Sequence, residues 1–349
     1  MQAVEPGARL EELLAEGEPA AAQWPAAGQG GNVQGLRGFV ISQLKPERVL
    51  TRAAIRTYGR LRGVDVRFSD GLVIFRRGNK EIRISASKFP YTYDMIVHFE
   101  AYYHAVFPDE RGVVDYSRPR VHRYVNSGVE FHLPSIAEEE EAIETYFRWY
   151  TPKPGDLVFD LGAHAGVSTY SLSQAVGPKG RVFAFEPDPI AWASLVRNIA
   201  VLPMQNVYPV QKAVAGQAGK LAFQAEGALG SALASIASRA GTGDTLLVDA
   251  VTFAEACELA GAKPAFVKMD IEGAELEVIA AARTFLRGSS IQFAADTNHN
   301  VGGHLTNRRL EQLFADAGFE STSSAESGFM TTWARPKSAG IVEGGYSRP

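Results

Sequence analysis

Residues 154–336 alternate between short apolar runs and longer amphipathic stretches. The apolar runs predict strands, and the stretches between them, where apolar residues recur every three or four positions, predict helices. Predicted strands cover 157–159, 181–185, 207–210, 266–269, 290–294 and 331–334. One predicted helix begins at Ser168, and others cover 190–201, 251–260, 274–286 and 308–317. A helix is also predicted before the first of these strands, over 138–150, with Tyr146 on its apolar face. Strands that alternate with helices indicate an α/β domain with a doubly wound, mostly parallel sheet.

The N-terminal part of the chain has a different pattern. Residues 64–68, 72–75 and 81–85 alternate between apolar and polar side chains, and glycine-containing polar segments separate them. This pattern predicts a small antiparallel meander. The aromatic-rich run 89–104 can form the core of a small domain or the wall of an acceptor site, and the sequence leaves both interpretations open.

These patterns divide the chain into four predicted segments. Residues 1–35 are rich in Ala, Gly, Glu and Pro and bury little surface, so we expect a mobile arm. Residues 36–135, with helices interrupted at Pro46, are predicted to form a small α+β accessory domain on the acceptor side. Residues 136–336 are predicted to form the main α/β domain, and residues 337–349 a C-terminal tail.

A glycine-rich turn follows the first predicted strand of the main domain. Gly162 and Gly166 stand where the chain passes from this strand to a helix. Glycine lets the backbone turn sharply, and the first N–H groups of the helix are free to face a ligand. Glu186 ends the next strand, close to the spacing of about 20 residues at which a second-strand acid meets a ribose. The pattern predicts a nucleoside-binding site at the carboxyl ends of the strands.

Two details favour S-adenosylmethionine (SAM) over a dinucleotide. The turn reads Gly-x-x-x-Gly, so it lacks the Gly-x-Gly-x-x-Gly cradle that holds a pyrophosphate. Asp160 stands on the strand just before Gly162, where its carboxylate would repel a pyrophosphate. The same carboxylate could attract an ammonium group or, through water, the methionyl part of SAM.

A second group of ionisable residues surrounds the end of the fourth strand. Lys268 and Asp270 lie on one side of this strand, while Glu272 and Glu275 stand at the start of the next helix. Helix capping and ion pairing can explain them, but charges in a strand-end cleft are costly unless paired or used. A functional site is therefore the favoured interpretation.

The residues quoted so far resemble a known family. Residues 159–163, 184–189 and 268–275, together with Asn198, are similar to the motifs of the FkbM family of SAM-dependent methyltransferases. The run 268–275 is the most specific part of this similarity, which leaves the N-terminal part of the chain unexplained. The resemblance implies the seven-stranded, Rossmann-like sheet of class I SAM methyltransferases. It also implies methyl transfer to a hydroxyl group, often on a sugar or a polyketide-type natural product.

Candidate cofactor contacts follow from the motifs. Glu186 is the first choice for the ribose hydroxyls, because a carboxylate accepts two hydrogen bonds in the plane of a vicinal diol. Asp188 can reach the adenosine or cap the next helix, and Ser168 can cap a helix or touch the cofactor. The backbone around Ala213 resembles the place where this class of enzyme contacts adenine. The predicted cofactor contacts are Asp160, Gly162, Ala163, His164, Gly166, Ser168, Glu186, Pro187, Asp188, Ala213, Asp270 and Glu272.

Methyl transfer from a sulfonium also requires in-line positioning and removal of the acceptor proton. The family often has a glutamate after the fifth strand, and Asp296 can take its place here. His299 and His304 are the nearest candidates for a general base, because histidine titrates near neutral pH. The predicted catalytic residues are His299, Asp270, Lys268 and Asp296.

A metal-dependent mechanism competes with this one. Asp270, Asp296 and Asn298 resemble the oxygen ligands with which catechol-type O-methyltransferases hold magnesium. We expect that no metal is needed, and these three residues are the predicted ligands if one is.

Composition excludes several classes of function. The formal net charge of −4 provides no basic field for a nucleic-acid backbone, so a small-molecule acceptor is expected. The single cysteine, Cys257, excludes an internal disulfide and a cysteine-built zinc site, which suits a reducing cytosol. The sequence contains no stretch of about 18 uninterrupted apolar residues and no basic-then-apolar leader, so we expect a cytoplasmic protein without a membrane span.

The leading prediction is therefore a SAM-dependent O-methyltransferase that modifies a sugar or a secondary metabolite. One alternative is N-methylation of a small-molecule amine. Another is a methyltransferase-like binding subunit that keeps the fold without the chemistry.

Overall fold

The computed structural model describes residues 49–234, 244–301, 304–325 and 330–337. The predicted arm, residues 1–35, lies outside these ranges, as does the predicted tail beyond residue 337. The described N-terminal part contains the following elements: α1 (Val49–Leu61), β1 (Asp65–Ser69), β2 (Leu72–Arg77), β3 (Lys80–Ser85), α2 (Thr92–Val97), α3 (Phe99–Ala105), β4 (Val113–Tyr116), β5 (Arg120–Arg123), β6 (Glu130–Leu133) and α4 (Ala142–Tyr146).

The rest of the described chain alternates between strands and helices. Its elements are β7 (Leu157–Leu161), α5 (Val167–Val176), β8 (Arg181–Phe185), α6 (Pro189–Val201), β9 (Val207–Val210), β10 (Ala213–Val214), β11 (Gly219–Ala225), β12 (Ala232–Leu233), β13 (Asp244–Val251), α7 (Phe253–Ala260), β14 (Phe266–Met269), α8 (Glu275–Leu286), β15 (Gln292–Asp296), β16 (Asn300–Val301), β17 (His304–Leu305), α9 (Asn307–Asp316), β18 (Phe319–Ser324) and β19 (Thr331–Pro336).

Seven strands form the central sheet, in the spatial order β18-β19-β15-β14-β7-β8-β9. All neighbours run parallel except β19, which is antiparallel to both β15 and β18. The chain builds outward from β7 to β9 and then returns to β14 on the other side of β7. The order of strands therefore reverses between β7 and β14, which is where a ligand binds in such sheets. The predicted α/β class is confirmed.

The N-terminal part is built around the predicted meander. Strands β1, β2 and β3 pair antiparallel, and β4 adds a parallel fourth strand beside β3. The aromatic run forms a 3-10 helix (Ala86–Tyr91) followed by α2 and α3. Its rings pack inward, with Tyr91, Phe99 and Tyr103 all buried. These aromatics therefore form the core of the N-terminal part, which was the first of the two interpretations of the aromatic run.

Two features of the main part differ from the prediction. The helix expected over residues 138–150 is limited to α4, because the segment before it extends towards the glycine turn, where Glu138 contacts His164. Between β9 and α7 the chain forms a second sheet, in the order β10-β13-β11-β12, which the predicted elements omit.

The N-terminal and main parts share buried contacts. Ala165, Val167 and Ala228 of the main part belong to the same apolar cluster as the N-terminal core. Asn198 on α6 bridges the two parts: its Oδ1 accepts from His132 N–H at 2.8 Å, and its Nδ2 donates to His132 O at 3.0 Å and to Ala165 O at 2.8 Å. The N-terminal part is thus fixed against the loop that follows β7.

Among the helices in the described ranges, none combines the length and apolar character needed to cross a bilayer.

Candidate active site

The turn after β7 lies against the end of β14. Gly162 and Gly166 have φ values of 79° and 88°, in the left-handed region that favours glycine. A Cβ at Gly162 would overlap the backbone oxygen of Asp270, so only glycine allows the two loops to approach so closely. The N–H groups of Gly162 and Ala163 both donate to Phe185 O at 3.0 Å, which ties the turn to the end of β8. The predicted turn therefore lies at the reversal of strand order.

Glu186 is held directly beside this turn. One carboxylate oxygen accepts from the N–H of His164 and the other from the N–H of Asp188, both at 2.7 Å. Burial and then the nearby Asp188 carboxylate raise the pKa of Glu186 to about 7, against the opposing effect of His164 and the two N–H donors. Each oxygen keeps a further lone pair, so contact with ribose hydroxyls is compatible with these bonds.

Asp160 and Lys268 form an ion pair inside the protein. Asp160 is fully buried, and its Oδ1 lies 3.1 Å from Lys268 Nζ. Its Oδ2 accepts from Ser168 Oγ at 3.1 Å and from Thr169 Oγ1 at 2.7 Å. Lys268 also donates to Gly162 O at 2.8 Å. Burial lowers the pKa of Lys268, but the carboxylates of Asp160 and Asp270 raise it by more, so the net shift is upward and the ammonium stays charged.

These contacts correct three predicted roles. Asp160 faces inward, because its carboxylate pairs with Lys268 and accepts from the hydroxyls of Ser168 and Thr169, and these contacts take the place of the predicted one to a methionyl group. Lys268 is paired and almost inaccessible, so it positions the glycine turn instead of contacting an acceptor. Ser168 is not the helix cap, since Gly166 occupies that position and the Ser168 hydroxyl donates to Asp160.

Asp188 acts as the cap of α6. Its Oδ1 accepts from Ile190 N–H at 2.7 Å and from Ala191 N–H at 3.3 Å, and its Oδ2 accepts from Gly227 N–H at 2.8 Å. Ser231 also donates to this Oδ2. With both oxygens occupied and no exposed surface, Asp188 shows the capping role and not the adenosine contact. Pro187 beside it is partly exposed, and Ala213 is buried in β10 of the second sheet.

His164 occupies a left-handed backbone position, with a φ of 47°. Its Nδ1 contacts Glu138, which also accepts from Ala165 N–H at 3.4 Å. Burial lowers the pKa of His164, but the Glu138 carboxylate and then Glu186 and Asp188 raise it more, so the net shift is upward. Glu138 therefore supports the turn, a role that its sequence position did not indicate.

Three carboxylates that follow β14 surround His299, which follows β15. His299 Nε2 lies 3.5 Å from Asp270 Oδ1 and 3.7 Å from Glu272 Oε2, and its Nδ1 lies 3.3 Å from Glu275 Oε1. Burial lowers the pKa of His299, but Glu275, Glu272 and Asp270 outweigh it and hold the pKa well above the usual value. These carboxylates favour the charged form of His299, which argues against its predicted role as the base.

Asp296 is a further carboxylate of this cluster, and its pKa is raised. Burial and then the neighbouring Asp270 carboxylate raise the pKa of Asp296 to about 6, near the range where a general base works. By contrast, burial raises the pKa of Asp270, but His299 and Lys268 reverse the shift and keep the pKa of Asp270 low. His304 is exposed on β17 and does not join the cluster.

The same cluster contains the residues that could hold a metal. Ligand atoms of Asp270, Asp296 and His299 all lie within 4.8 Å of one another. The predicted third ligand, Asn298, is engaged elsewhere, because its Oδ1 accepts from Met330 N–H at 2.9 Å. Magnesium prefers oxygen ligands, whereas this set includes the imidazole of His299. The set therefore differs from the all-oxygen set that the sequence predicted.

Tyr146 is a further residue of this region that the motifs did not identify. It ends α4 with only 6% of its surface exposed, and its ring centroid lies 5.9 Å from Lys268 Nζ. The sequence placed Tyr146 on the apolar face of a helix, so neither its type nor its spacing marked it as part of a site.

One family model matches part of the chain. Residues 160–321 match the family model described as the methyltransferase FkbM domain. No curated protein sequence matches the chain.

Similar solved structures include three methyltransferases or related proteins. Precorrin-6y C5,15-methyltransferase from Geobacter metallireducens has 15% identity and a TM-score of 0.37, and the alignment covers 59% of this chain and 94% of that one. Fibrillarin from Aeropyrum pernix with bound S-adenosyl-L-methionine has 15% identity and a TM-score of 0.36, and the alignment covers 78% of this chain and 98% of that one. TYW2 from M. jannaschii in complex with AdoMet has 14% identity and a TM-score of 0.36, and the alignment covers 62% of this chain and 84% of that one.

Proposed function

Since this chain belongs to the methyltransferase FkbM family, with SAM as its methyl donor, we propose that it methylates a hydroxyl group of a small molecule. The acceptor class that we propose is a sugar or a secondary metabolite. The family match supports methyl transfer, and the negative net charge of the chain favours a small molecule over a nucleic acid as acceptor.

The observation that carries O-methylation is the state of Asp296. A hydroxyl group must lose its proton as it attacks, and Asp296 combines partial burial at the end of β15 with a pKa of about 6. When bound, SAM supplies a methyl group on a positively charged sulfur. Asp296 would take the acceptor proton while the new C–O bond forms and the C–S bond breaks. The products would be a methyl ether, S-adenosylhomocysteine, whose sulfur retains the electron pair, and a protonated Asp296.

The other residues of the site act on position and charge. The Asp160–Lys268 pair holds the glycine turn at β14 through Gly162 O. His299 balances part of the negative charge of Asp270, so that Asp296 is the carboxylate that titrates in the useful range. Glu186 is the proposed ribose ligand.

The test has two stages. Calorimetry should first detect SAM binding; no binding below millimolar concentrations would favour a non-catalytic subunit. Transfer of radioactive methyl groups to pools of sugars and secondary metabolites would then identify an acceptor. With that acceptor, Asp296→Asn should lower kcat by about 100-fold or more, because one general base contributes about 10²–10⁴-fold. Asp316→Asn is the matched control, since Asp316 lies exposed at the end of α9.

N-methylation is the alternative that the same experiment separates. The excess of carboxylates around His299 would also attract a protonated amine. A neutral amine attacks without a base, so Asp296→Asn would then keep most of the activity. Retained transfer to an amine by this variant would replace the hydroxyl assignment.

A further inference from the structure

A groove lies at the end of the central sheet opposite to the candidate active site. It has a volume of about 670 Å³, and it is lined by the end of α5, the loop 177–180 and the loop 203–206. Arg181, at the start of β8, also lines it, whereas Glu186 follows the other end of the same strand. Five residues of extended chain separate these two positions by about 16 Å, so the groove is distinct from the methyl-donor site.

Hydrogen bonds across the groove hold its two sides together. The side chain of Asn206 donates to Ser173 O at 3.0 Å and to Gly177 O at 2.8 Å, and its Oδ1 accepts from Ser173 Oγ at 2.6 Å. Gln174 Nε2 donates to Pro203 O at 3.0 Å. The groove is therefore largely preformed, and its volume falls within the range of about 300–1,000 Å³ that is typical of small-molecule sites.

The polar groups that remain available in the groove are mainly donors. The carbonyl oxygens of residues 173, 177 and 203 already accept hydrogen bonds from side chains. Lys179 is exposed, and its ammonium has no partner in the part of the chain that the structure describes. Arg181 Nη1 donates to Ala260 O at 3.1 Å, which orients the guanidinium and leaves its other N–H groups for a ligand.

The groove is also positively charged, although it lies in an acidic part of the chain. Residues 136–336 contain 15 Lys and Arg against 23 Asp and Glu. Among the described residues that line the groove, Lys179 and Arg181 are charged, and none is Asp or Glu. Donors and positive charge without a carboxylate favour an anion, and a guanidinium beside an ammonium suits a phosphate group.

The groove is larger than a phosphate ion requires, so the ligand carries a further group. The exposed amide of Gln205 and the free Oε1 of Gln174 can form hydrogen bonds with hydroxyl groups. The aromatic residue among the described lining is Tyr208, and its ring already stacks on Phe183, with centroids 5.0 Å and planes 11° apart. These groups fit the hydroxyls of a sugar better than the ring of a nucleobase.

We propose that this groove is a second ligand site, which binds a phosphorylated sugar. Lys179 and Arg181 bind the phosphate, and the amide of Gln205 binds hydroxyl groups of the sugar. The assignment does not rest on the proposed function, because the groove lies at the other end of the sheet and binding requires neither SAM nor methyl transfer.

Calorimetric titration of the full chain tests this site with glucose 6-phosphate as the probe. Glucose 6-phosphate should bind with a dissociation constant of about 1 mM or lower, as expected for two charge-assisted hydrogen bonds. Glucose lacks the phosphate and should bind at least about tenfold more weakly. Inorganic phosphate lacks the sugar hydroxyls, and AMP carries a base, so each should bind about fivefold more weakly than glucose 6-phosphate.

Two variants remove the positive charges of the groove. Lys179→Gln and Arg181→Gln should each weaken the binding of glucose 6-phosphate about tenfold, because each loses a charge-assisted hydrogen bond. Lys220→Gln is the matched control: Lys220 is an exposed lysine on β11 that does not line the groove, so the affinity should stay the same. Thermal denaturation reports whether each variant folds. If Arg181→Gln does not fold, Lys179→Gln carries the test, because Lys179 is exposed.

Absence of glucose 6-phosphate binding to the folded protein at millimolar concentrations would overturn the proposal. Binding that Lys179→Gln and Arg181→Gln leave unchanged would also overturn it, since the ligand would then occupy another site. Glucose that binds as tightly as glucose 6-phosphate would contradict the role of the two cations. Tighter binding of AMP or of inorganic phosphate would replace the phosphorylated sugar with a nucleotide or a free anion.

Discussion

Replacing Lys268 with methionine tests the central ion pair of the site. Lys268 is 2% exposed and Asp160 is fully buried, so Lys268→Met leaves a carboxylate inside the protein with two hydroxyl donors and no cation. Removing one partner of a buried pair costs about 3–5 kcal/mol. Gly162 O also loses its donor, which adds about 1 kcal/mol. We therefore expect a loss of about 5 kcal/mol in the free energy of unfolding.

A double-mutant cycle isolates the interaction. Asp160→Asn combined with Lys268→Met removes both charges, so the double variant should recover about 2 kcal/mol relative to Lys268→Met alone. Lys263→Met is the control, because Lys263 is exposed and donates to Phe285 O at the surface; it should change stability by less than about 0.5 kcal/mol. Urea denaturation followed by circular dichroism measures the four proteins of the cycle, which include Asp160→Asn alone, and the Lys263→Met control.

A free energy of unfolding for Lys268→Met within about 1 kcal/mol of that of the unmodified protein would refute this expectation. A double variant no more stable than Lys268→Met would also refute it, because the charge on Asp160 would then not be the cause of the lost stability in Lys268→Met.

Three further predictions concern the surroundings of the turn. Asn198→Ala removes three hydrogen bonds, so it should lower the free energy of unfolding by about 3 kcal/mol and also weaken SAM binding. Asn206→Ala is the control: it also removes three hydrogen bonds, but only to Ser173 and Gly177 at the end of α5, so it should lower stability alone. Equal effects of the two variants on SAM affinity would contradict this. If SAM requires the ionised form of Glu186, whose pKa is about 7, calorimetry should find binding about tenfold weaker at pH 6 than at pH 8, and Glu186→Gln should bind weakly with a flat pH profile. Because His299 is already paired with carboxylates, EDTA should change neither the melting temperature nor SAM affinity, and a rise in melting temperature on adding Mn²⁺ or Zn²⁺ would refute this.

Strand and helix periodicity predicted the central sheet well because its strands are short, apolar and separated by helices. The glycine turn was predictable for a related reason, since the positive φ values at Gly162 and Gly166 leave few other residue types. The second sheet was not predicted, although its strands β11 and β13 have 7 and 8 residues. Its strands β10 and β12, with two residues each, have too little pattern to detect.

The roles of ionisable residues were harder to predict than their location. Asp160 and Lys268 lie in motifs, but the sequence does not reveal that they pair with each other across β7 and β14. The role of His299 depended on the carboxylates of Glu272 and Glu275, which come from another part of the chain. A pKa is set by such neighbours, so the choice between His299 and Asp296 as base required the three-dimensional arrangement.

The bridge made by Asn198 limits how this protein can be dissected. A fragment beginning after residue 135 would contain the whole central sheet, yet it would leave the amide of Asn198 without His132 and uncover Ala165 and Val167. Those exposed groups adjoin the loop that is proposed to cradle the methyl donor. A fragment that contains the central sheet alone should therefore be less soluble, and its loop after β7 should be less ordered. The N-terminal part thus stabilises this loop and is not an independent domain that can be removed without effect.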